Sequence, residues 1–318
     1  MPKSLSAISK EIAQALQIRY VKLHFTIEFQ EDTILPKHKV SAIRGGVGEM
    51  LLQANCVRDR KCENCDFCSE CIVQRTMYSQ FEIKPSFVTT GESVGYVYEC
   101  TDYREKFLEG DRLEFNLLLF GKNIVYFNQY MQAIYALGQQ GLGKNFSHFR
   151  VVEVRNSKQH PILSGDDSLN MANYEILRVE EYVEHRRAQI KSDLQSYKLT
   201  FVTPLTLKYQ GEFIQEFRMD AITASVRRRI YMLDCFEGID NEWYREMSTV
   251  PEVIKQESRL QGVERYSSRK NEKMMLRGIK GFLETGPMEE EVLAMLLAGE
   301  LLHIGKNTSF GFGQYKLV

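Results

Sequence analysis

Five of the seven cysteines lie between Cys56 and Cys71, in the pattern C-x5-C-x2-C-x2-C-x2-C. Thiolates spaced two residues apart on a short loop can meet one ion, and four of them close a tetrahedral site. Such a site leaves no open position for water, so a metal held there is structural. The spacing admits Cys56, Cys62, Cys65 and Cys71, or Cys62, Cys65, Cys68 and Cys71; a metal-free cluster or an iron–sulfur centre is the alternative. Cys100 and Cys235 stand alone. So tight a cluster favours metal over a disulfide framework.

The segment His303-Ile304-Gly305-Lys306-Asn307-Thr308-Ser309-Phe310-Gly311-Phe312-Gly313 is the next concentration of chemistry. Its glycines let backbone come close to a partner, with N–H groups offered to phosphate oxygens. Lys306 adds a point charge, and Thr308 and Ser309 add hydroxyls. It is not a Walker A loop, because no Gly-Lys-Ser/Thr follows a strand. Between residues 255 and 280 eight basic side chains face three acidic ones, with Tyr266 among them to stack on a base. Arg265, Arg269 and Lys270 belong to that run. Arg227, Arg228 and Arg229 form a second cluster on an expected helix, where three consecutive residues cannot share one face. Arg44, beside Gly45 and Gly46, is a further phosphate candidate.

The elements that must position these groups follow from periodicity. Residues 19–30 alternate, with Val21, Leu23, Phe25, Ile27 and Phe29 on one side, which predicts a half-buried strand. Residues 40–55 carry apolar side chains at helical spacing. Gly45, Gly46 and Gly48 are costly in a helix and imply a close approach by a backbone or ligand. Helices are expected at 4–17, 123–137, 213–236 and 289–302. Strands are expected at 93–100, 112–119, 149–154, 197–207, 261–269, 278–284 and 313–318. Residues 156–190 read as a looser, charged connection. The segments GLGKNFSHFRVVEV (141–154) and IGKNTSFGFGQYKLV (304–318) both follow an apolar helix and run into a strand. The two halves thus repeat one order of elements. The expected fold is α+β: two tandem ferredoxin-like βαββαβ domains, at 1–160 and 192–318, joined by a linker at 161–191. The Cys-rich segment is an insertion in the first domain.

The 318 residues fit two domains. With 43% hydrophobic and 26% charged residues, disorder of the whole chain is excluded. No apolar run approaches a membrane span, and the first residues lack the apolar core of a signal peptide. A cytoplasmic protein without membrane contact is expected. A net charge of −1 gives no support for a nucleic-acid partner, so that reading rests on the local clusters.

The ending IGKNTSFGFGQYKL, after an apolar helix in a two-half chain, resembles the CRISPR-associated RAMP-superfamily endoribonucleases that process precursor crRNA. RGGVGEML (44–51) followed by cysteines is similar to the zinc-ribbon-bearing branch. FVTPLTLK (201–208), RRRIYML (227–233), RYSSRK (265–270) and GIKGFLE (278–284) follow in the same order. The resemblance implies a protein that binds a CRISPR repeat and cuts it once, without a catalytic metal. Attack by the 2′-OH would leave a 2′,3′-cyclic phosphate and a 5′-OH.

Of six histidines, the resemblance favours His38, because the family's active site is built around the first helix of the N-terminal half. Lys37 or Lys39 would then stabilise the phosphate. The remaining candidates are His148 in the first-half loop, a site without histidine, and His24, His160, His185 or His303; His303 could simply cap the last helix. The resemblance also favours Cys56, Cys62, Cys65 and Cys71 as ligands of a structural zinc. The RNA-contacting set is Arg44, Arg228, Arg265, Tyr266, Arg269, Lys270, Gly305, Lys306, Ser309, Gly311 and Gly313. Two other readings share these features. One is a RAMP subunit that holds crRNA without cutting; the other is a cysteine module that docks a further CRISPR-associated protein.

Overall fold

The computed structural model of the chain describes residues 8–58, 60, 62–88, 93–165, 168–191, 195–240, 249–267 and 272–318. The first half runs through α1 (Lys10–Ala15), β1 (Arg19–Phe29), α2 (Val40–Asn55), α3 (Ile72–Met77), β2 (Tyr96–Glu99), β3 (Arg112–Phe120), α4 (Phe127–Gln140) and β4 (Phe149–Arg155). After α5 (Val179–Gln189), the second half comprises β5 (Tyr197–Phe201), α6 (Met219–Phe236), β6 (Val253–Ser267), β7 (Glu272–Thr285), α7 (Glu290–Leu302) and β8 (Tyr315–Leu317).

The sheets have one topology, stated twice. The first is ordered β2-β3-β1-β4 and the second β6-β7-β5-β8, with every pairing antiparallel. In each, the first strand lies between the third and fourth, as the βαββαβ ferredoxin-like order requires. The expected tandem fold is what the chain adopts.

β1 buries Val21, Leu23, Phe25, Ile27 and Phe29 against α2 and α4 in the first core. The opposite face of the same sheet also buries side chains. Tyr20, Val97, Leu118 and Phe120 join α1, α5, α6 and α7 in a second core. That second contact explains why α6 is buried nearly all round: it is covered by its own sheet and by the back of the first. The halves therefore share a core.

Three expectations are corrected. The span read as a linker is structured. Pro161–Leu163 adds an edge strand to β4, Leu177–Arg178 pairs with β1, and α5 packs on α7. Arg186 and Arg187 of α5 hold Glu300 and Glu290 of α7, so part of the charge in this connection is ion pairing. The helix expected from 213 begins at Met219, because Lys208–Tyr209 and Glu212–Phe213 close a small hairpin first. The strand expected from 261 begins at Val253; its first residues, Lys255 and Glu257, are exposed and show no apolar alternation. No helix among the described residues is long and apolar enough to cross a membrane.

Candidate active site and nucleic-acid interface

His38 sits one residue before the N-cap of α2, half-buried, in a narrow cleft between the halves. The second half supplies Thr203, Pro204, Val263 and the Phe310–Phe312 stretch; the first supplies Glu99, Cys100 and Tyr103. The Tyr103 ring stands edge-on to the His38 ring, 5.4 Å between centres. Burial lowers the His38 pKa from its ordinary value, and the positive charges of Lys37, Lys280 and Lys39 lower it further. A neutral imidazole at neutral pH is a proton acceptor.

The two lysines beside His38 differ. Lys37 is exposed. Lys39 is buried, and its ammonium donates to the Asp102 carbonyl at 2.9 Å and to that of Arg104, over the Phe107 ring. Those bonds fix the loop before β3, so Lys39 is not presented to a phosphate; this corrects the sequence expectation. The second cation at the cleft comes from the other half. Lys280 of β7 influences His38, and its ammonium lies 5.9 Å from the Tyr103 ring centre. Burial and the nearby Arg259 and Lys37 depress the Lys280 pKa. Sequence reasoning missed Lys280 as a cleft residue because it was one of eight basic side chains in its segment. Tyr103 lies in a loop with no periodic signal.

Behind the cleft a carboxylate ties the halves together. Glu99 accepts from Lys22 at 2.7 Å, Asn116 at 2.8 Å, and His303 Nε2 and Gln314 at 3.0 Å each. Burial opposes its ionisation, but the Lys22 charge and the bonds from His303 and Lys22 outweigh that and hold its pKa well below the carboxylate range. His303 is the C-cap residue of α7, but its ring does not bond that helix's last carbonyls; its other ring nitrogen faces the Phe312 carbonyl at 3.0 Å. Its ring is fully buried, which makes it a latch between the halves.

The Gly-rich loop is built differently from its sequence reading. The amides of Gly305, Gly311 and Gly313 donate to Ser225 Oγ, Thr308 O and Pro204 O, so they are not offered to phosphate. All three have positive φ. A Cβ at Gly313 would stand 1.8 Å from the Ile304 carbonyl oxygen, and one at Gly311 would stand 2.8 Å from that of Tyr98. The glycines let the loop fold back on itself and dock on the first half. What the loop presents is side chains.

Those side chains line a second hollow, a cavity of about 380 Å³ between the halves. Arg44, Arg228, Lys306 and Ser309 converge there, and so does Lys208. Among the described residues the cavity lining contains no carboxylate. Of the arginine triplet, Arg227 and Arg229 are buried; Arg229 donates to the carbonyls of Leu302 and Val94, bridging the halves. Arg228 alone is exposed. The guanidiniums of Arg44 and Arg265 lie 4.2 and 4.7 Å from the centre of the Phe310 ring. Burial and the Arg44 charge depress the Arg265 pKa. Arg269, Lys270 and the Tyr266 side chain lie outside the described residues.

The other histidines do not reach this region. His148 contacts Glu31 through its ring and its amide, at 2.8 Å each. His24 is on β1 opposite Asn116, His160 donates its amide to Asn156, and His185 contacts Gln189.

The cysteines form a separate feature around an apolar hollow lined by Leu52, Val57, Phe67, Ile72 and Val73. Turns link Cys62 to Cys65, Cys65 to Cys68 and Cys68 to Cys71, each amide donating three residues back. The Cys56 sulfur instead accepts the Arg60 amide at 3.2 Å. Burial raises the Cys68 pKa, with the nearby thiols of Cys62, Cys65 and Cys71 adding to it. The donor chemistry suits zinc. Among the described residues, though, no three His, Cys, Asp or Glu side chains converge closely enough to hold an ion.

Comparison with known proteins gives two family matches. Residues 16–175 match the AF_1859_N family, an N-terminal domain, and residues 199–315 match the CRISPR-associated endoribonuclease Cas6 family. No curated protein matches the chain. Among solved structures, a Cas6 product complex superposes with a TM-score of 0.54 at 13% identity, over 94% of this chain and 99% of that one. A partial Cas6-RT-Cas1–Cas2 complex gives 0.56 at 12% identity, over 95% of this chain and 46% of that one. A second Cas6-RT-Cas1–Cas2 complex gives the same score and identity over 29% of its chain. This chain thus spans less than half the length of those two larger chains. At such identities the likeness speaks for the fold.

Proposed function

Because the chain belongs to the CRISPR-associated RAMP superfamily of endoribonucleases, we propose that it cuts precursor CRISPR RNA within the repeat. The observation that carries this reading is the placement of His38: half-buried between the halves, beside Lys37 and Lys280, with a lowered pKa.

RNA carries its own nucleophile, the 2′-OH next to the scissile phosphate. In the proposed step neutral His38 takes the 2′ proton, and the 2′ oxygen bonds to phosphorus. The bond from phosphorus to the 5′ oxygen breaks, leaving a 2′,3′-cyclic phosphate and, with a proton from the Tyr103 hydroxyl, a 5′-OH. Lys37 and Lys280 face the charge that grows on the phosphate oxygens. Arg44, Arg228, Arg265, Lys306 and Ser309 position the strand across the junction. No step requires a metal. The test is His38→Ala. A positioned general base contributes about 10²–10⁴-fold, so cleavage of the cognate repeat RNA falls by that factor while binding persists. Cleavage at a near wild-type rate by that variant overturns the assignment. Binding without cleavage by the wild type identifies a crRNA-holding subunit instead.

We also propose that the cysteine segment holds one structural zinc. Its support is the C-x2-C spacing and the run of turns that links Cys62, Cys65, Cys68 and Cys71 and leaves out Cys56; that run favours those four over the set containing Cys56. Elemental analysis of anaerobically purified protein should find one zinc per chain, lost in Cys68→Ser and kept in Cys56→Ser. No zinc in the wild type ends the proposal. The larger Cas6-RT-Cas1–Cas2 assemblies with the same fold support other CRISPR-associated proteins as partners. Loss of complex formation with cleavage intact in Cys62→Ser would assign that docking to the cysteine segment.

A further inference from the structure

Phe310 lines both the His38 cleft and the cationic cavity. Its ring is the wall between them, and the guanidiniums of Arg44, from the first half, and Arg265, from the second, both lie over it. The cavity behind that wall has two kinds of surface. Arg44, Lys208, Arg228 and Lys306 make it cationic, and none of the four is paired with a carboxylate among the described residues. Leu207 and Met232, both buried, and the ring of Phe87 make its other side apolar. The Arg228 guanidinium already lies over the Phe87 ring, 4.0 Å from its centre. A hollow of about 380 Å³ falls in the range of small-molecule sites. Unneutralised cations next to an apolar, aromatic wall match a nucleoside phosphate: a phosphate for the cations and a flat base for the wall.

We propose that this cavity is a nucleotide subsite, which takes one unstacked nucleotide adjoining the scissile phosphate. The inference rests on the reading of the chain as a repeat-cutting endoribonuclease. With the scissile phosphate at His38, the strand passes Phe310. The neighbouring nucleotide turns out of the stack, its phosphate to Arg44 and Lys306 and its base to Phe87 and Arg228. Unstacking is easiest where the RNA is single-stranded. The subsite therefore selects a cut next to an unpaired base, and it supplies specificity that the narrow His38 cleft does not.

The test uses the full chain and a series of cognate repeat RNAs, each with one abasic nucleotide flanking the cut. One position should lower kcat/KM more than tenfold in the wild type. Ala224 is exposed on α6 and lines the cavity, so Ala224→Trp fills it from a position that does not disturb the core. In Ala224→Trp the intact RNA is cut more than tenfold more slowly, and the abasic position causes no further loss. Cleavage by Ala224→Trp at the wild-type rate, or an undiminished abasic effect in it, overturns the proposal. If the wild type binds the repeat without cutting it, the functional reading fails, and the subsite is judged on affinity in the same two-by-two comparison. Thermal shifts with nucleoside monophosphates and with inorganic phosphate distinguish a strand from a free ligand. A shift of several degrees with a monophosphate alone, absent in Ala224→Trp and without an abasic effect in RNA, assigns the cavity to a free nucleotide and overturns the strand subsite.

Discussion

His38 titrates under the influence of burial and of lysines from both halves, and this sets the pH dependence. A histidine with a lowered pKa is already neutral at pH 7 and becomes protonated only as the pH falls through that lowered value. The acid limb of kcat/KM should therefore lie below about pH 6.5, the ordinary histidine value. Lys280→Met removes one of the charges that depress it. The acid limb should then move to higher pH while kcat falls; an unmoved limb would dissociate Lys280 from the cleft. Glu99 gives a stability prediction. Its carboxylate is buried and paired, so Glu99→Gln leaves Lys22 and His303 without their partner. The cost should be about 3–5 kcal/mol, read as a lowered Tm. Because the folded-state pKa of Glu99 is depressed, its contribution is complete above about pH 4.3 and fades as the pH falls toward the depressed value.

The Gly-rich loop and the helix α2 make opposite predictions for glycine. Gly311→Ala and Gly313→Ala force a Cβ into backbone at positive φ, so both should lower the Tm and reduce cleavage by unseating the loop from the first half. Gly45 has open space around it, whereas Gly46 packs against Leu137 and Gly48 near Met77. Gly45→Ala should stabilise the chain by about 1 kcal/mol in thermal unfolding. A loss of RNA affinity in the same variant would mark that open face as one the strand approaches. The approach by a backbone or ligand inferred at 45–48 from sequence is instead side-chain packing, by Leu137 at Gly46 and Met77 at Gly48. α2 was legible from end to end because its apolar spacing faces one core. α5 was not: its few buried residues, Val179 and Val183, leave no amphipathic signal, and its arginines find partners that only the fold brings near. The loop was legible as special, but for a different reason. Its glycines were read as open amides, and the structure uses them for packing. Phe310, which carries two arginines, was one aromatic among eighteen phenylalanines.

At the scale of the whole molecule the site belongs to neither half. β1 and β5 hold equivalent places in two sheets of one topology, and the shared core fixes the halves at one relative position. His38 and Tyr103 come from the first half, Lys280 and Phe310 from the second. Spatial pairings of this kind are invisible to a reading along the chain. The duplication itself was visible, through the repeated Gly-Lys-Asn loop and the order of elements. The near-neutral total charge concealed a cationic junction, because acidic groups elsewhere, such as Glu290 and Glu300, offset it and are spent in ion pairs between α7 and α5. RNA affinity should accordingly fall steeply between 50 and 200 mM salt, by about 10³-fold if six phosphates are contacted, and the slope should flatten in Lys306→Ala.

The central claim is a metal-independent cut by 2′-OH attack at a cleft built around His38. It is tested most directly by incubating the purified protein with its cognate CRISPR repeat RNA in EDTA and mapping both product ends. The account predicts one cut, a 2′,3′-cyclic phosphate on one product and a 5′-OH on the other, all lost in His38→Ala. Products bearing a 3′-OH and 5′-phosphate, or repeat RNA bound but left whole, would contradict it.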